Sequence, residues 1–339
     1  MSNREKKVLI IGGGLAGMEA AIKLGGAGYQ TVLIEKEDHL GGIMNQLYGS
    51  FPRWDNPQKI VEEKVKMVEE NPHIQVKLNT TIKSVQKKDK SFVVELSDQE
   101  KIEFDAVILA TGFGFYDAAE YGEYGYGSFD NVYTALEFEG KLKEMESWDK
   151  KDLPQVVAFF KCVGSRDRSK GYPYCSKICC MFTAKEAGLM KDLNPDTKCF
   201  VFYMDYRAAG KEYEEFARSV IEDKHVRYVR GRPAKVLPDN GKLMIRAEDT
   251  LMGVPVEVAA DMIVLANAMV PSESTKELAR MFEAKTDKYG FIDYIPGHPT
   301  QSGDRVFFAG GCGFPVESLG AQYQGAAAAA EVIALFNQD

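Results

Sequence analysis

Four of the six cysteines lie close together in the sequence, between positions 162 and 180. Cys162 follows a predicted strand, Cys175 and Cys179 are four residues apart, and Cys180 comes next. This spacing predicts Cys175 and Cys179 on one face of a helix, with Cys180 about 100° around it. With Cys162 added, four thiolates could meet at one centre. Soft thiolate ligands suit an iron–sulfur cluster or zinc.

An iron–sulfur cluster is the favoured interpretation of these cysteines, and three others stay open. Structural zinc ligands usually come as two short C-x₂₋₄-C pairs, which adjacent cysteines match poorly. The thiols could instead form a redox dithiol, or be buried core cysteines without chemistry. Cys199 is predicted in a core strand, and Cys312 is predicted to be a packed thiol. Arg166 and Lys185 flank the group, and either offset its negative charge or lie on a solvated face.

A glycine pattern typical of phosphate binding lies near the start of the sequence. Gly12, Gly14 and Gly17 form G-x-G-x-x-G between a buried-type strand and a helical pattern. The first glycine permits a tight turn, the second lets a pyrophosphate approach the backbone, and the third allows helix and strand to pack closely. The amides at the helix start, around Leu15 and Ala16, would point at the phosphates.

An acidic residue completes the pattern. Glu35 ends the next predicted strand, where a carboxylate can bond the ribose hydroxyls of a dinucleotide. Strand, loop, helix, strand and acid together are far more specific than the glycines alone, so a glycine-rich turn without a ligand is the weaker alternative. The sequence therefore predicts a dinucleotide site, and the loop alone does not decide between FAD and NAD.

Strands alternate with helices through most of the sequence, which predicts an α/β protein with mainly parallel sheets. A Gly- and Tyr-rich stretch, 113–133, is predicted to be a connector with its tyrosine rings at the surface. A second α/β pattern follows, with a helix over 178–193, and the tail returns to the style of the first unit. The predicted domains are a discontinuous first domain, residues 1–125 with 275–339, and a middle domain, residues 126–274.

Composition excludes several classes of function. Lys plus Arg is 42 against 50 for Asp plus Glu, a net charge of −8, with no cluster of basic residues. Nucleic-acid binding relies on such clusters and is not expected. No apolar run approaches the length of a membrane span, and the apolar start soon reaches glycines and charges, unlike an export signal. The protein is therefore predicted to be cytoplasmic, and in a cytoplasmic protein clustered cysteines indicate metal or redox chemistry before structural disulfides.

Further motifs resemble the two-dinucleotide-domain flavoproteins of the thioredoxin reductase type. They are Lys36 after the acid, Leu40-Gly41-Gly42, Ala110-Thr111-Gly112 after a strand, and Ala309-Gly310-Gly311 before a Gly/Ala helix. The resemblance implies Rossmann-type three-layer domains, with FAD in the first. The FAD contacts that it implies, besides the glycine loop and Glu35, are Lys36, Gly42, Ala110, Thr111, Gly112, Gly310, Gly311 and Gln322. Many relatives have Gly-Asp where this sequence has Gly310-Gly311, so the resemblance does not extend to the usual carboxylate contact to the ribityl chain.

The cysteine segment resembles one family in particular, the flavin subunit of heterodisulfide reductase that is called HdrA. The motifs are Cys162-Val163-Gly164-Ser165-Arg166-Asp167 and Tyr174-Cys175-Ser176-Lys177-Ile178-Cys179-Cys180-Met181, and the likeness runs through essentially the whole sequence. It implies a [4Fe–4S] cluster held by the four cysteines, in a protein that is a homodimer in isolation and joins the other subunits of a heterodisulfide reductase-like complex. The sequence lacks the ferredoxin-like C-x₂-C-x₂-C sites of the methanogen type. It therefore resembles the short form found in sulfur oxidisers.

Two other functions are weighed against an FAD and iron–sulfur subunit for electron transfer. One is a stand-alone NAD(P)H-dependent disulfide reductase, which predicts a second glycine fingerprint and a short C-x-x-C beside the flavin. The sequence has neither, since the strand 156–160 leads into Cys162 instead of a glycine loop. The other is a zinc-bearing, FAD-binding scaffold.

Overall fold

The computed structural model describes residues 6–338, which form two compact units. The first unit contains residues 6–45, 58–114 and 270–338, and the second contains 46–57 and 115–269. The sequence-based boundaries, at 125/126 and 274/275, fall slightly further along the chain. The sequence does not predict the excursion of 46–57 into the second unit.

The first unit is built on a six-stranded sheet and a separate three-stranded sheet. Its strands are β1 (Lys7–Ile11), β2 (Gln30–Ile34), β3 (Ile74–Lys77), β4 (Ile82–Lys87), β5 (Phe92–Leu96), β6 (Lys101–Phe104), β7 (Ala106–Leu109), β18 (Gln301–Gly303) and β19 (Val306–Phe308). Its helices are α1 (Leu15–Gly26), α2 (Pro57–Glu69), α6 (Glu273–Met281) and α7 (Ser318–Gln338).

The six-stranded sheet has the order β18-β19-β7-β1-β2-β3, and only the edge pair β18–β19 is antiparallel. Strand β1 lies inside this sheet, between β2 and β7, and its apolar residues 8–11 are buried. Such a continuous apolar run is typical of a parallel strand covered on both faces. The glycine loop that follows β1 is therefore held at the carboxyl edge of the sheet, where ligands of α/β proteins bind.

The apolar pattern over 102–109 predicts one strand, but the structure has two strands there. Strand β6 joins the antiparallel sheet β4-β5-β6, whereas β7 joins the parallel sheet. Asp105 separates them, and its carboxylate accepts a 2.8 Å hydrogen bond from the backbone N–H of Lys7. A buried carboxylate must be satisfied in this way, and here it lies at the point where the chain changes sheets. The prediction of one strand was wrong because this polar break is a single residue within an apolar pattern.

The second unit contains a fully parallel five-stranded sheet and an antiparallel three-stranded sheet. Its strands are β9 (Val132–Thr134), β10 (Val156–Val163), β11 (Lys198–Tyr203), β12 (Arg227–Arg230), β13 (Lys235–Asp239), β14 (Lys242–Asp249), β15 (Val254–Ala260) and β16 (Met262–Asn267). Its helices are α3 (Ala135–Met145), α4 (Cys179–Leu193) and α5 (Tyr213–Glu222). The chain crosses between the units at β8 (Gly114–Phe115) and β17 (Met269–Val270).

Strand β10 is the central strand of the parallel sheet, whose order is β12-β11-β10-β16-β9. Helix α3, which the sequence analysis missed, begins with a capping box in which Thr134 and Glu137 bond each other's backbone N–H groups. Such a box satisfies two N–H donors that a helix start otherwise leaves unpaired. It fixes α3 directly after β9.

Two tyrosines of the predicted connector are not surface rings, whereas Tyr126 is half-buried with its hydroxyl bonded to Glu137 at the surface. Tyr121 and Tyr124 are buried, and their rings stack in parallel with centroids 5.1 Å apart. The Tyr121 hydroxyl donates to the Asp167 carboxylate at 2.6 Å. The Arg232 guanidinium donates to the same hydroxyl at 3.1 Å and to the same carboxylate at 3.2 Å. The prediction was wrong because alternating Gly and Tyr residues carry no helix or strand period that would indicate burial.

Candidate cofactor sites

The glycine loop of the first unit has the tight geometry that its spacing predicts. Gly12 has a φ of +112°, and its N–H donates to the Ile34 carbonyl at 2.9 Å. A Cβ built on Gly17 would lie 1.9 Å from the Gly12 carbonyl oxygen, closer than any side chain can approach. Gly12 and Gly17 are therefore required by the fold itself.

Gly14 differs from these two glycines. Its φ of −73° and ψ of −178° are open to any residue, and no heavy atom of the described chain lies within 4 Å of the position of a Cβ. Its place at the start of α1, with no side-chain cap from residues 6–338, leaves the first N–H groups of the helix facing open space. Helix starts of this kind bind phosphate through their N–H groups and dipole.

Glu35 has a role that the sequence analysis missed. Its Oε2 accepts the N–H of Gly13 at 2.6 Å, and its Oε1 accepts the N–H of Glu37 at 3.1 Å. The buried carboxylate therefore holds the glycine loop against the end of β2. Each carboxylate oxygen has a second lone pair, so the predicted ribose contact stays possible. Lys36 is exposed and pairs with Glu37 at 3.3 Å.

The structure brings several other predicted FAD residues to this loop. The N–H of Gly41 donates to the Gly13 carbonyl at 2.9 Å, and Gly42 follows with a φ of +57°. A Cβ on Gly42 would lie 3.3 Å from the Gly14 Cα. The Ala110 carbonyl lies 2.3 Å from where a Gly12 Cβ would be. Gly42 therefore lies beside Gly14, and Ala110 packs against the first glycine of the loop.

The late glycine motif closes the same site. A Cβ on Gly310 would lie 2.9 Å from the Ala16 Cβ, and the Gly310 N–H donates to the Gln324 side chain at 2.7 Å. Gln324, which the sequence analysis did not single out, therefore holds this motif. The predicted residue Gln322 bonds the Ser318 carbonyl within its own helix, at 3.3 Å.

The remaining predicted residues of the first unit lie in the same two segments. Thr111 shares a 2.7 Å hydrogen bond with Thr275, and Gly112 has a φ of +70° with open space where a Cβ would be. Gly311 has no such space, because a Cβ there would lie 2.5 Å from the Phe113 ring. Cys312 is buried and bonds the Leu109 carbonyl at 3.2 Å, as expected of a packed thiol.

Three of the four clustered cysteines pack together in the second unit. Cys162 lies near the end of β10, and Cys179 and Cys180 begin α4; all three are buried against Ala266. Cys162 has a φ of +62°, and the pairing of β10 with β16 shifts register there. A non-glycine residue rarely adopts this conformation, and such strain is concentrated at functional sites.

Cys175 is not part of this packed group. It lies before α4, half-buried in a loop, and its Sγ accepts the N–H of Lys177 at 3.3 Å. The prediction that Cys175 and Cys179 share one helical face is wrong, because Lys177 has a φ of +59° and α4 begins only at Cys179. Among residues 6–338, no three His, Cys, Asp or Glu side chains are placed to hold one metal ion. The four-cysteine ligand set stays a prediction.

The three packed thiols are electrostatically unequal. Hydrogen bonds from Cys179 lower the pKa of Cys162 to about 7 and that of Cys180 to about 5. The same two bonds raise the pKa of Cys179 well above the ordinary value of a thiol, because Cys179 is the donor in both. Lys161 lowers the pKa of Cys180 further. The pocket therefore favours the thiolate form, which binds metals, at Cys162 and Cys180.

The two basic residues that flank the cysteines in sequence have different partners. Arg166 pairs with the Asp205 carboxylate at 2.6 Å, and the nearby Cys162 thiolate helps to raise the pKa of its guanidinium. Lys185 is buried rather than solvated and forms an ion pair with the buried Glu139 of α3. Lys185 therefore belongs to the core of this unit and does not balance the charge of the thiols.

A second carboxyl group lies beside this ion pair. Glu186 is fully buried, and its Oε2 has no hydrogen-bond partner within the described residues. Burial and the neighbouring Glu139 carboxylate raise the pKa of Glu186 well above its ordinary value, against the attraction of Lys185. The folded protein consequently keeps a proton on Glu186 at a pH where the unfolded chain has lost it.

We expect Glu186→Gln to stabilise the protein increasingly as the pH rises. Because the folded pKa is raised, the free energy of unfolding of the natural chain falls as the pH rises above the unfolded value of 4.5. Glutamine removes this loss. Thermal unfolding between pH 5 and pH 8 should show a Tm advantage of the variant that widens with pH.

Lys185→Met is the contrasting variant. It leaves Glu139 buried without its cation and should lower the free energy of unfolding by about 3–5 kcal/mol.

A Tm difference between Glu186→Gln and the natural chain that is constant with pH would contradict the raised pKa of Glu186.

Several known proteins resemble this chain in sequence. The profile of the pyridine nucleotide-disulphide oxidoreductase family matches residues 6–153. HdrA of Methanocaldococcus jannaschii, an iron-sulfur subunit of CoB–CoM heterodisulfide reductase, is 32% identical, over 87% of this chain and 58% of that protein. HdrA of the H(2):CoB-CoM heterodisulfide,ferredoxin reductase from Methanothermobacter marburgensis is 32% identical, over 97% of this chain and 64% of that protein. The chain is a homologue of HdrA. It spans about three fifths of the length of these HdrA proteins.

Solved structures confirm the predicted fold class of this HdrA homologue. Thioredoxin reductase from T. acidophilum has a TM-score of 0.69 at 16% identity, over 98% of this chain and all of the other. Thioredoxin reductase from Lactococcus lactis has a TM-score of 0.67 at 17% identity, with the same coverage. The chain therefore has the two-domain Rossmann-type fold of these flavoproteins. None of the helices in 6–338 is long and apolar enough to cross a membrane.

Proposed function

We propose that the chain is an FAD- and [4Fe–4S]-containing oxidoreductase that transfers electrons within a heterodisulfide reductase-like complex. One observation carries this proposal. Strand β10 has the place in the second sheet that β1 has in the first, but it leads into packed thiols where β1 leads into a phosphate-binding loop. A nicotinamide dinucleotide therefore lacks its usual loop in the second unit, and thiolates take that position.

The first unit supplies a site that fits FAD. The pyrophosphate would face the open space at Gly14 and the N–H groups at the start of α1, with Glu35 beside the ribose. The family that matches residues 6–153 implies this cofactor. When bound, FAD can exchange electrons in pairs or singly. The chain's own contribution is to bind the diphosphate, through the loop that Glu35 holds in place.

The second unit supplies the soft ligands that an iron–sulfur cluster needs. Cys162, Cys179 and Cys180 would be ligands from the packed group, and Cys175 the fourth from the loop. Two buried hydroxyls, Oη of Tyr228, whose ring lies beside Lys161, and Oγ of Ser165, three residues after Cys162, have no hydrogen-bond partner in the described part of the chain. Orphaned buried polar atoms need a partner, and the sulfides of a cluster are acceptors that could supply one. A bound cluster carries single electrons.

Partner subunits are also part of the proposal. The relatives are named as subunits of CoB–CoM heterodisulfide reductases, and this chain spans only part of their length. We propose that it works with further subunits in the cytoplasm, in sulfur metabolism like the short form of sulfur oxidisers, and that it is a homodimer in isolation. Its electrons would then come from and go to those partners.

Anaerobically purified protein should test the cofactor assignment directly. We expect about one FAD, four iron atoms and four acid-labile sulfides per chain, with a broad absorbance at about 400–420 nm beside the flavin bands. Zinc without sulfide would point to the scaffold function instead.

Stopped-flow mixing of the oxidised protein with NADH or NADPH under argon tests the electron route. Only slow flavin bleaching is expected, because no glycine fingerprint follows β10. Fast, saturable bleaching by either nucleotide would favour a stand-alone reductase.

A further inference from the structure

A buried lysine lies against the packed thiols. Lys161 is the residue before Cys162 in β10, and its side chain is almost fully buried. Its Nζ lies 3.3 Å from Cys180 Sγ and 3.4 Å from the Asp205 carbonyl oxygen. Arg166 and Lys185 are the balancing charges that the sequence indicates, and Lys161 is not among them because a lysine is ordinarily a solvent-facing residue.

Three tyrosine rings surround the same ammonium group. The Nζ of Lys161 lies 5.1, 4.8 and 5.6 Å from the ring centroids of Tyr203, Tyr206 and Tyr228. Each π face attracts a cation, and such contacts are stronger where water is excluded. The rings therefore stabilise the ammonium group without cancelling its charge.

Carboxylates do not neutralise the charge of the Lys161 ammonium group either. Asp205 contacts Lys161 only through its carbonyl oxygen, and its carboxylate is held by Arg166 at 2.6 Å and by Arg207 at 3.8 Å. Within residues 6–338, no Asp or Glu forms an ion pair with Lys161. A buried ammonium without an anionic partner is strongly unfavourable. The anion that Lys161 needs is therefore on the side of Cys180.

We propose that Lys161 is a charge-tuning residue that raises the reduction potential of the metal centre bound by these thiols. The inference rests on the proposed function, since it requires a cluster at Cys180. A cluster held by four thiolates is anionic, and one-electron reduction adds a further negative charge. No bond forms or breaks, and the electron would come from the added one-electron reductant, dithionite in the test below. A buried cation at 3.3 Å from a ligand sulfur favours the more negative, reduced form.

The test compares Lys161→Met with two controls in the full chain. Lys161→Arg keeps the charge. Lys170→Met removes a lysine that also lies over a tyrosine ring, 4.6 Å from the Tyr121 centroid, but bonds the Glu120 carbonyl and contacts no thiol of residues 6–338. Anaerobic redox titration with dithionite, followed by electron paramagnetic resonance, measures the potential of the centre. Lys161→Met should make reduction at least tenfold less favourable, a shift of about 59 mV to lower potential. Both controls should stay within a few-fold of the natural chain.

Each outcome has a defined meaning. Equal potentials for Lys161→Met and the natural chain, or an equal shift in Lys170→Met, would overturn the inference and leave the cluster assignment intact. Absence of iron from the natural chain would overturn the proposed function and the inference together. If Lys161→Met does not fold, Lys161→Gln replaces it. Iron loss in the Met and Gln variants with retained flavin, and with iron kept in Lys161→Arg, would support the role of the charge.

Discussion

Cys179→Ser should lose its iron and acid-labile sulfide while retaining its flavin. Cys179 is buried in the first turn of α4 and hydrogen-bonds both Cys162 and Cys180, so it is the central thiol of the packed group. Serine removes a soft thiolate and offers a hard hydroxyl that is poorly matched to iron–sulfur chemistry. The glycine loop belongs to the other unit and keeps all of its own contacts. Iron, sulfide and FAD assays on one preparation measure the result.

The matched control is Cys199→Ser, the same substitution in the same unit. Cys199 is a buried thiol in β11 whose Sγ contacts the Ala187 carbonyl at 3.9 Å, outside the packed group. This variant should keep its full iron content at a cost in stability of about 1–3 kcal/mol. Full iron content in Cys179→Ser would remove Cys179 from the ligand set.

Gly14→Val should fold and fail to hold FAD. The backbone of Gly14 suits valine, and no atom in the described chain obstructs a Cβ there, so the protein can accommodate the side chain at about 1 kcal/mol for a poorer helix cap. The valine methyl groups would occupy the space that a pyrophosphate needs. We expect FAD affinity to fall on the order of a hundredfold or more, about 3 kcal/mol. Flavin content and fluorescence titration of the folded protein measure the change.

Gly26→Val is the matched control at the other end of the same helix. Gly26 also has open space where a Cβ would be, but it is remote in sequence from the loop. The Gly26→Val variant should bind FAD normally. By contrast, Gly17→Ala would push a Cβ into the Gly12 carbonyl and unfold the loop, so it cannot separate binding from folding. Stoichiometric FAD in folded Gly14→Val would refute the site.

The elements that the sequence predicts well are those with a strong local pattern. Strand β1 is a continuous apolar run, and α1 and α5 have apolar residues at helical spacing. These local patterns indicate which residues of each element are buried. The glycine loop is equally local, since its turn and close approaches involve neighbouring segments. These features require no knowledge of distant residues, and the comparison structures confirm the fold that they indicate.

The details that the sequence does not predict depend on long-range contacts. The start of α4 is set by the left-handed Lys177, which a pattern of four-residue spacing cannot reveal. Lys161 and Tyr121 are polar residues that are buried because partners from other segments receive them: tyrosine rings for the lysine, and Asp167 with Arg232 for the tyrosine. Sequence patterns measure average polarity, and they miss polar groups whose partners come from elsewhere in the fold.

The division of the first unit into three chain segments sets the order in which the two units can be completed during translation. Residues of the second unit end at 269, whereas the last segment of the first unit, 270–338, brings β19 and the Gly310 wall of the glycine loop. At about 5–20 residues per second, the ribosome needs roughly 3–14 s to add that segment. The cysteine-bearing unit is therefore fully synthesised while the glycine loop still lacks one of its walls, so the packed thiols can come together before the loop is complete.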